Sequence, residues 1–223
     1  MVFDLDQTLV DFISVHDEAT RELFRTSFGV DARLTEIDFA GRSLADNFQE
    51  LARLKGIGSL RQGANMQAVV DRYERIFAAK IPEDASRHVL PGVRRLLEEL
   101  SRTENLIALY TGDSRGVAEP VLAATGLERY FMFSVYGTDA GTRVDMVRVA
   151  IRKAREHTGR EFRDGDVVIV GDSVRDVECG RQLDAVTVAV ATGFHSPRQL
   201  SDAGADYVFP DLQECDRVLA AIA

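Results

Sequence analysis

Val167-Val168-Ile169-Val170-Gly171-Asp172-Ser173 is a short apolar run that ends in a glycine, a carboxylate and a hydroxyl. Four β-branched residues in succession, with no polar alternation, mark a strand covered on both faces, as in a parallel sheet. A helical stretch follows to about Leu183, and then another β-branched run, Val186–Val190. Working outward, the same rhythm recurs. Leu106–Tyr110 reads as a strand, Ala118–Thr125 as a helix, Phe131–Val135 as a strand, Val144–His157 as a helix and Tyr207-Val208-Phe209 as a last strand. Met1–Asp6 reads as a further strand with almost no lead-in. Strands alternating with helices imply parallel pairing through right-handed crossovers. The spacing therefore predicts an α/β fold built on a doubly wound parallel sheet.

One segment breaks the rhythm. Between Phe12 and about Asp84 the apolar residues fall only at helical spacing: Val15, Ala19, Leu23 and Phe24; Leu44, Phe48, Leu51 and Leu54; Val69, Val70, Tyr73, Ile76 and Phe77. Gly29, Gly41, Gly56, Gly58 and Gly63 punctuate these runs. This predicts an α-helical insertion over 12–84 between the first and second strands of a core formed by 1–11 and 85–223.

The 223 residues are 45% hydrophobic and 28% charged, enough apolar side chain to offset chain entropy, which excludes disorder. No run approaches about 18 apolar residues, so no membrane span is expected. Met1–Asp11 carries three aspartates and no basic residue, unlike a signal peptide. The net charge of −9 argues against nucleic-acid binding, which needs a basic footprint. Two cysteines, Cys179 and Cys215, cannot form a disulfide framework and read as packing thiols in a reduced, cytoplasmic setting. A monomer or a homodimer is expected.

In an open parallel sheet, ligands bind beyond the carboxyl ends of the strands. The first strand delivers Asp4 and Asp6 there, and period-two geometry places both on one face. The next delivers Thr111, with Gly112 and Asp113 behind it. The Val167–Val170 strand delivers Asp172, with Asp176 one helical turn on, and Gly141-Thr142-Arg143 lies between. Clustered carboxylates raise one another's pKa unless a cation neutralises them. Hard oxygen ligands suit Mg2+, which also takes substrate phosphate oxygens. A carboxylate can then attack phosphorus while a second one moves the proton. Asp4 and Asp6 fit those roles, Thr111 and nearby N–H groups would bind phosphoryl oxygens, and Arg143 would neutralise transition-state charge.

Phe3-Asp4-Leu5-Asp6-Gln7-Thr8-Leu9-Val10, Leu109-Tyr110-Thr111-Gly112 and Val170-Gly171-Asp172-Ser173-Val174-Arg175-Asp176 resemble, in that order, motifs of the haloacid dehalogenase-like hydrolase superfamily. Leu90-Pro91-Gly92-Val93 resembles the opening of the helix before its second motif. The resemblance covers essentially the whole chain and implies a Rossmann-like core with a small helical cap. It implies Asp4 as nucleophile, Asp6 as acid/base and Thr111 and Gly112 as phosphate binders. Magnesium would be held by Asp4, the backbone carbonyl of Asp6, and Asp172. Asp176 would stand behind them, orienting Arg143 or a metal-bound water. Ala40-Gly41-Arg42-Ser43 resembles the substrate-facing cap loop of phosphoglycolate-phosphatase-like members, with Arg42 toward the substrate. In two places the chain departs from the pattern. Gln7 stands where glycine is usual, which would alter the turn beside the nucleophile. Arg143, 29 positions before Asp172, stands for the usual lysine, with Lys153 the alternative. Asp6 favours phosphate esters over carbon–halogen substrates.

The reading that follows is a magnesium-dependent phosphatase of a small phosphorylated metabolite. A sugar phosphomutase and a non-catalytic phosphate-binding scaffold are the alternatives. His16, His88, His157 and His195 show no ligand spacing and read as surface or capping residues, with His16 near the cap mouth. Asp113 reads as a turn or cap residue.

Overall fold

The computed structural model describes residues 1–60 and 64–222; Gly63 lies outside the described residues. Six parallel strands form one sheet: β1 (Val2–Phe3), β2 (Ala108–Thr111), β3 (Phe133–Tyr136), β4 (Val168–Gly171), β5 (Val186–Val190) and β6 (Tyr207–Phe209). Their spatial order is β3-β2-β1-β4-β5-β6. The chain winds outward from β1 to β3, crosses back to β4 and winds outward the other way. The order therefore reverses between β1 and β4, where Phe3 pairs with Val170. That reversal opens a crevice at the carboxyl ends of these two strands.

Alternate strand residues face opposite sides, and both sides are covered. Val2, Ala108, Tyr110, Val135 and Ile169 pack on Met146, Val147 and Ala150 of α6 (Arg143–Thr158) and Cys179 and Leu183 of α7 (Val174–Leu183). Phe3, Leu109, Val170 and Val188 face the other way, onto α4 (Val93–Ser101), α5 (Arg115–Thr125) and α9 (Cys215–Ala221). The helices α1 (Ile13–Phe28), α2 (Leu44–Leu54) and α3 (Ala64–Ala78) lie between β1 and β2 in the chain. Their apolar residues Leu23, Phe24, Phe48, Tyr73 and Phe77 continue this second cluster. The short α8 (Pro197–Asp202) precedes β6. Cys179 and Cys215 are buried and free. No helix among the described residues is long and apolar enough to cross a membrane.

The first strand is shorter than the sequence predicts and ends at Phe3. The amides of Thr8, Leu9 and Val10 all turn back to the carbonyl of Leu5, so the chain leaves the sheet at once. Asp4 keeps one ladder bond, its N–H to the Val170 carbonyl at 2.9 Å, and Asp6 lies in the turn. Gln7, where the family has glycine, adopts the left-handed conformation itself, with φ of 60°, and its side chain donates to Asp11 at 2.7 Å. A non-glycine residue there costs about 1–2 kcal/mol, and glycine's greater freedom in the unfolded chain costs roughly 0.5–1 kcal/mol. Gln7→Gly is expected to raise unfolding stability by up to about 1 kcal/mol. A fall in chemical denaturation would show that the Asp11 bond outweighs the strain.

Candidate functional site

The crevice holds a narrow cavity of about 60 Å³, room for roughly four waters. Asp4, Asp6, Thr111, Gly112, Arg143, Asp172 and Arg42 all line it. A larger groove of about 780 Å³ at the opposite end of the strands, lined by Met1, Leu106, Met132 and Phe162, carries only exposed charged side chains. The ionisable group buried in it is the Met1 amine, which donates to the Leu106 carbonyl. Size does not choose the site here; the buried ionisable groups do.

Arg143 is the first residue of α6, behind the Thr142 N-cap, and its side chain is only 11% exposed. Its Nη2 donates to Asp4 at 2.8 Å and lies 3.2 Å from Asp176. Its Nε donates to the Gly41 carbonyl at 3.0 Å, and the guanidinium lies over the Tyr110 ring. Its Nη1 is buried without a partner. Lys153, by contrast, donates to the Ser134 carbonyl and lines no part of the cavity.

Asp176 stands behind this wall. One of its oxygens takes the Tyr110 hydroxyl and faces Arg143; the other takes the Ser173 N–H and hydroxyl in a capping box at the start of α7. Gly171 permits this, because a Cβ there would lie 2.5 Å from Asp176 Oδ2. Asp172 accepts from Thr8 at 3.2 Å. Its other oxygen has room only because residue 193 is glycine, where a Cβ would come within 1.8 Å. Gly193 escapes sequence reasoning because it lies on the loop after β5, far from any motif.

Asp4, Asp172 and Asp176 offer oxygens within 4.8 Å of one another, all buried. Burial pushes Asp4 up to about 7 against the pull of Arg143. Burial, with the charges of Asp4 and Asp176, drives Asp172 well above the ordinary carboxylate range. One arginine does not neutralise three buried carboxylates. An all-oxygen donor set in excess of its cations fits a hard divalent ion.

A second cluster joins Asp6, His16 and Asp113. His16 and Asp113 require correction. His16 is neither a surface nor a capping residue: it is 3% exposed, with Nδ1 2.7 Å from the Tyr73 hydroxyl and Nε2 3.2 Å from Asp6. It occupies the buried stripe of α1 with Ala19 and Leu23, and that placement was its sequence signal. Asp113 does lie in the bend between β2 and α5, but its carboxyl caps no helix. It is buried beside Asp6, and its Oδ2 lies 3.9 Å from His16. The cluster holds together because its charges balance. Burial would lower His16, but Asp6 and Asp113 hold it up at about 9. Burial would raise Asp6, but His16 and hydrogen bonds hold it below its usual range. Burial keeps Asp113 well above that range.

The inserted helices close over the cavity. Leu44 donates its N–H to the Gly112 carbonyl at 3.1 Å, and a Cβ on Gly112 would lie 2.2 Å from the Arg42 carbonyl. Arg175 of α7 pairs with Asp38 at 2.7 Å, and the Phe39 and Phe194 rings meet edge to face at 4.8 Å. Arg42 lines the cavity while its guanidinium donates to the Asp38 carbonyl at 3.3 Å.

Comparison with known proteins points the same way. A phosphoglycolate phosphatase of Synechococcus elongatus is 29% identical over 208 residues, spanning 93% of this chain and 91% of that one. One from Agrobacterium fabrum is 25% identical over 206 residues, spanning 86% and 80%. The fold is similar to that of β-phosphoglucomutase from Clostridium difficile, with a TM-score of 0.81 at 16% identity over 99% of this chain and 95% of that one. The family model of the haloacid dehalogenase-like hydrolases matches residues 1–190, and the chain belongs to that family.

Proposed function

We propose that this phosphatase of the haloacid dehalogenase-like family hydrolyses a small phosphorylated metabolite with magnesium, by way of an aspartyl-phosphate on Asp4. The observation that carries the reading is Arg143 Nη1, a buried donor without a partner beside the Asp4 carboxylate. Buried donors are rarely left unpaired, and a phosphoryl oxygen in the cavity would take this one. The Thr111 hydroxyl and the amides around Gly112 line the same wall and would take others.

Asp4 attacks phosphorus and the bond to the leaving oxygen breaks, while Asp6 gives that oxygen a proton. Asp6 then takes a proton from water, which attacks the phosphorus of the acyl phosphate, releases phosphate and restores Asp4. His16 holds Asp6 below the usual carboxylate range, so the proton Asp6 gives comes from Asp113, the carboxyl beside it that burial keeps protonated. The proton Asp6 takes from water returns there. Asp176 is committed to Tyr110, Ser173 and Arg143, which leaves Asp4 and Asp172, with the Asp6 carbonyl, to hold magnesium. When bound, that ion offsets the negative charge of carboxylates and phosphate together. The closed loop 38–44 keeps bulk water out, and the small cavity favours a compact leaving group.

The test is phosphate release from a panel of esters that includes phosphoglycolate, para-nitrophenyl phosphate and β-glucose 1-phosphate, with magnesium and with EDTA. Release that needs magnesium is expected. Isomerised sugar phosphate without free phosphate would identify a mutase, and silence across the panel a scaffold. Binding should also show in stability. Asp4 and Asp172 are both raised above their unfolded values, so their contribution is present at low pH and is lost as pH rises, for Asp4 from about 4 through about 7. Magnesium is therefore expected to raise the unfolding temperature more at pH 8 than at pH 5.

A further inference from the structure

Asp6 lies beside Asp113, at the end of β2, and one of its carboxylate oxygens is buried without a partner. Its other oxygen meets His16, which belongs to α1 in the inserted helices. His16 Nε2 faces Asp6 at 3.2 Å, and the opposite ring nitrogen faces the Tyr73 hydroxyl at 2.7 Å. Tyr73 lies on α3, 57 positions later in the chain, and is wholly buried. Phe77, one turn further along the same helix, packs on the His16 ring at 4.5 Å between centroids. A phenol both donates and accepts, so it satisfies Nδ1 whether the imidazole is neutral or charged. The ring therefore has one orientation, and α3 sets it.

We infer that Tyr73 is a positioning residue: through His16 it fixes the Asp6 carboxylate, so that the acid/base is aligned only when α3 is packed against the core. This rests on the reading of Asp6 given above. Without the hydroxyl, Nδ1 is a buried nitrogen with no partner, and the ring turns to find one. Asp6 then loses the hydrogen bond that comes from the inserted helices. Proton transfer is sensitive to such misplacement because donor and acceptor must lie within hydrogen-bond reach.

The experiment compares two leaving groups. An alkoxide needs a proton as it departs and para-nitrophenolate does not, and kcat/KM reports on steps up to the first irreversible one. Tyr73→Phe is expected to lower kcat/KM about tenfold for phosphoglycolate, or for the best alkyl ester of the panel, and less than twofold for para-nitrophenyl phosphate. Asp6→Asn should show the same selectivity in larger measure. His16→Asn, which cannot span Tyr73 and Asp6, should match Tyr73→Phe and decides the matter if that variant does not fold. Equal losses on both esters, or none, would overturn the inference while a selective Asp6→Asn leaves the acid/base assignment standing. An Asp6→Asn loss without selectivity would overturn both.

Discussion

Asp4→Asn is expected to cut phosphate release by at least about 10⁴-fold while the protein stays folded, since deleting a nucleophile removes the covalent route rather than one contact to it. The amide has the shape of the carboxylate but no charge with which to attack phosphorus. Folding should tolerate the change. Asp4 is 5% exposed, and burial already pushes it up to about 7, so its charge is a strain on the folded state. The amide removes that strain. Arg143 loses one anionic partner and keeps Asp176 at 3.2 Å. Steady-state phosphate release and thermal unfolding, measured on the same sample, check both halves. Near-normal turnover would remove Asp4 from the nucleophile's role.

Arg143→Ala should act on stability as strongly as on rate. Its guanidinium is the cation shared by Asp4 and Asp176, and it lowers Asp172 as well. Removing one partner of a buried ion pair typically costs about 3–5 kcal/mol, because the remaining charge has nowhere to go. In a chain of this size that lowers the unfolding temperature by roughly 10 °C. Turnover should fall by about 10²–10³-fold, since a preorganised cation opposite developing charge is lost. The stability loss carries a pH signature. With no counter-charge the carboxylates rise further and protonate more readily, and a raised acid destabilises only above its unfolded value. The loss should be largest near pH 8 and shrink toward pH 4, which thermal unfolding across that range would show. Arg143→Lys should recover much of the rate, because the charge returns. The Nε bond to the Gly41 carbonyl would not return, so the loop that closes the cavity is expected to be held less firmly. A flat pH dependence for Arg143→Ala would mean that the carboxylates are already neutralised by something else.

The sheet was legible because its strands are buried on both faces. Val167–Val170 and Val186–Val190 can hardly be anything but central parallel strands, and the observed β4 and β5 differ from the reading by a residue at most. The carboxylates at the strand ends were legible for a related reason. Asp4, Thr111 and Asp172 are consecutive in the chain with the strands that carry them, so placing the strand places the residue. Where the backbone departs from regular pairing, reading fails locally. β1 ends at Phe3 because the amides of Thr8, Leu9 and Val10 turn back to the Leu5 carbonyl, and Gln7 accepts a left-handed backbone that its side-chain type would not announce.

Fold class and the acidic rim thus came from sequence alone, since periodicity and strand-end position are local properties that neighbours along the chain specify. The pairing of Arg143 with Asp4, the room that Gly193 leaves for Asp172, and the cluster of His16, Tyr73, Asp6 and Asp113 belong to tertiary structure. Each joins side chains from separate elements across the crevice between β1 and β4 or across its cover. Helical spacing with Ala19 and Leu23 can place His16 on the buried stripe of α1. Which distant carboxylate and hydroxyl meet its ring is decided by the fold alone, and that sets charge, orientation and role.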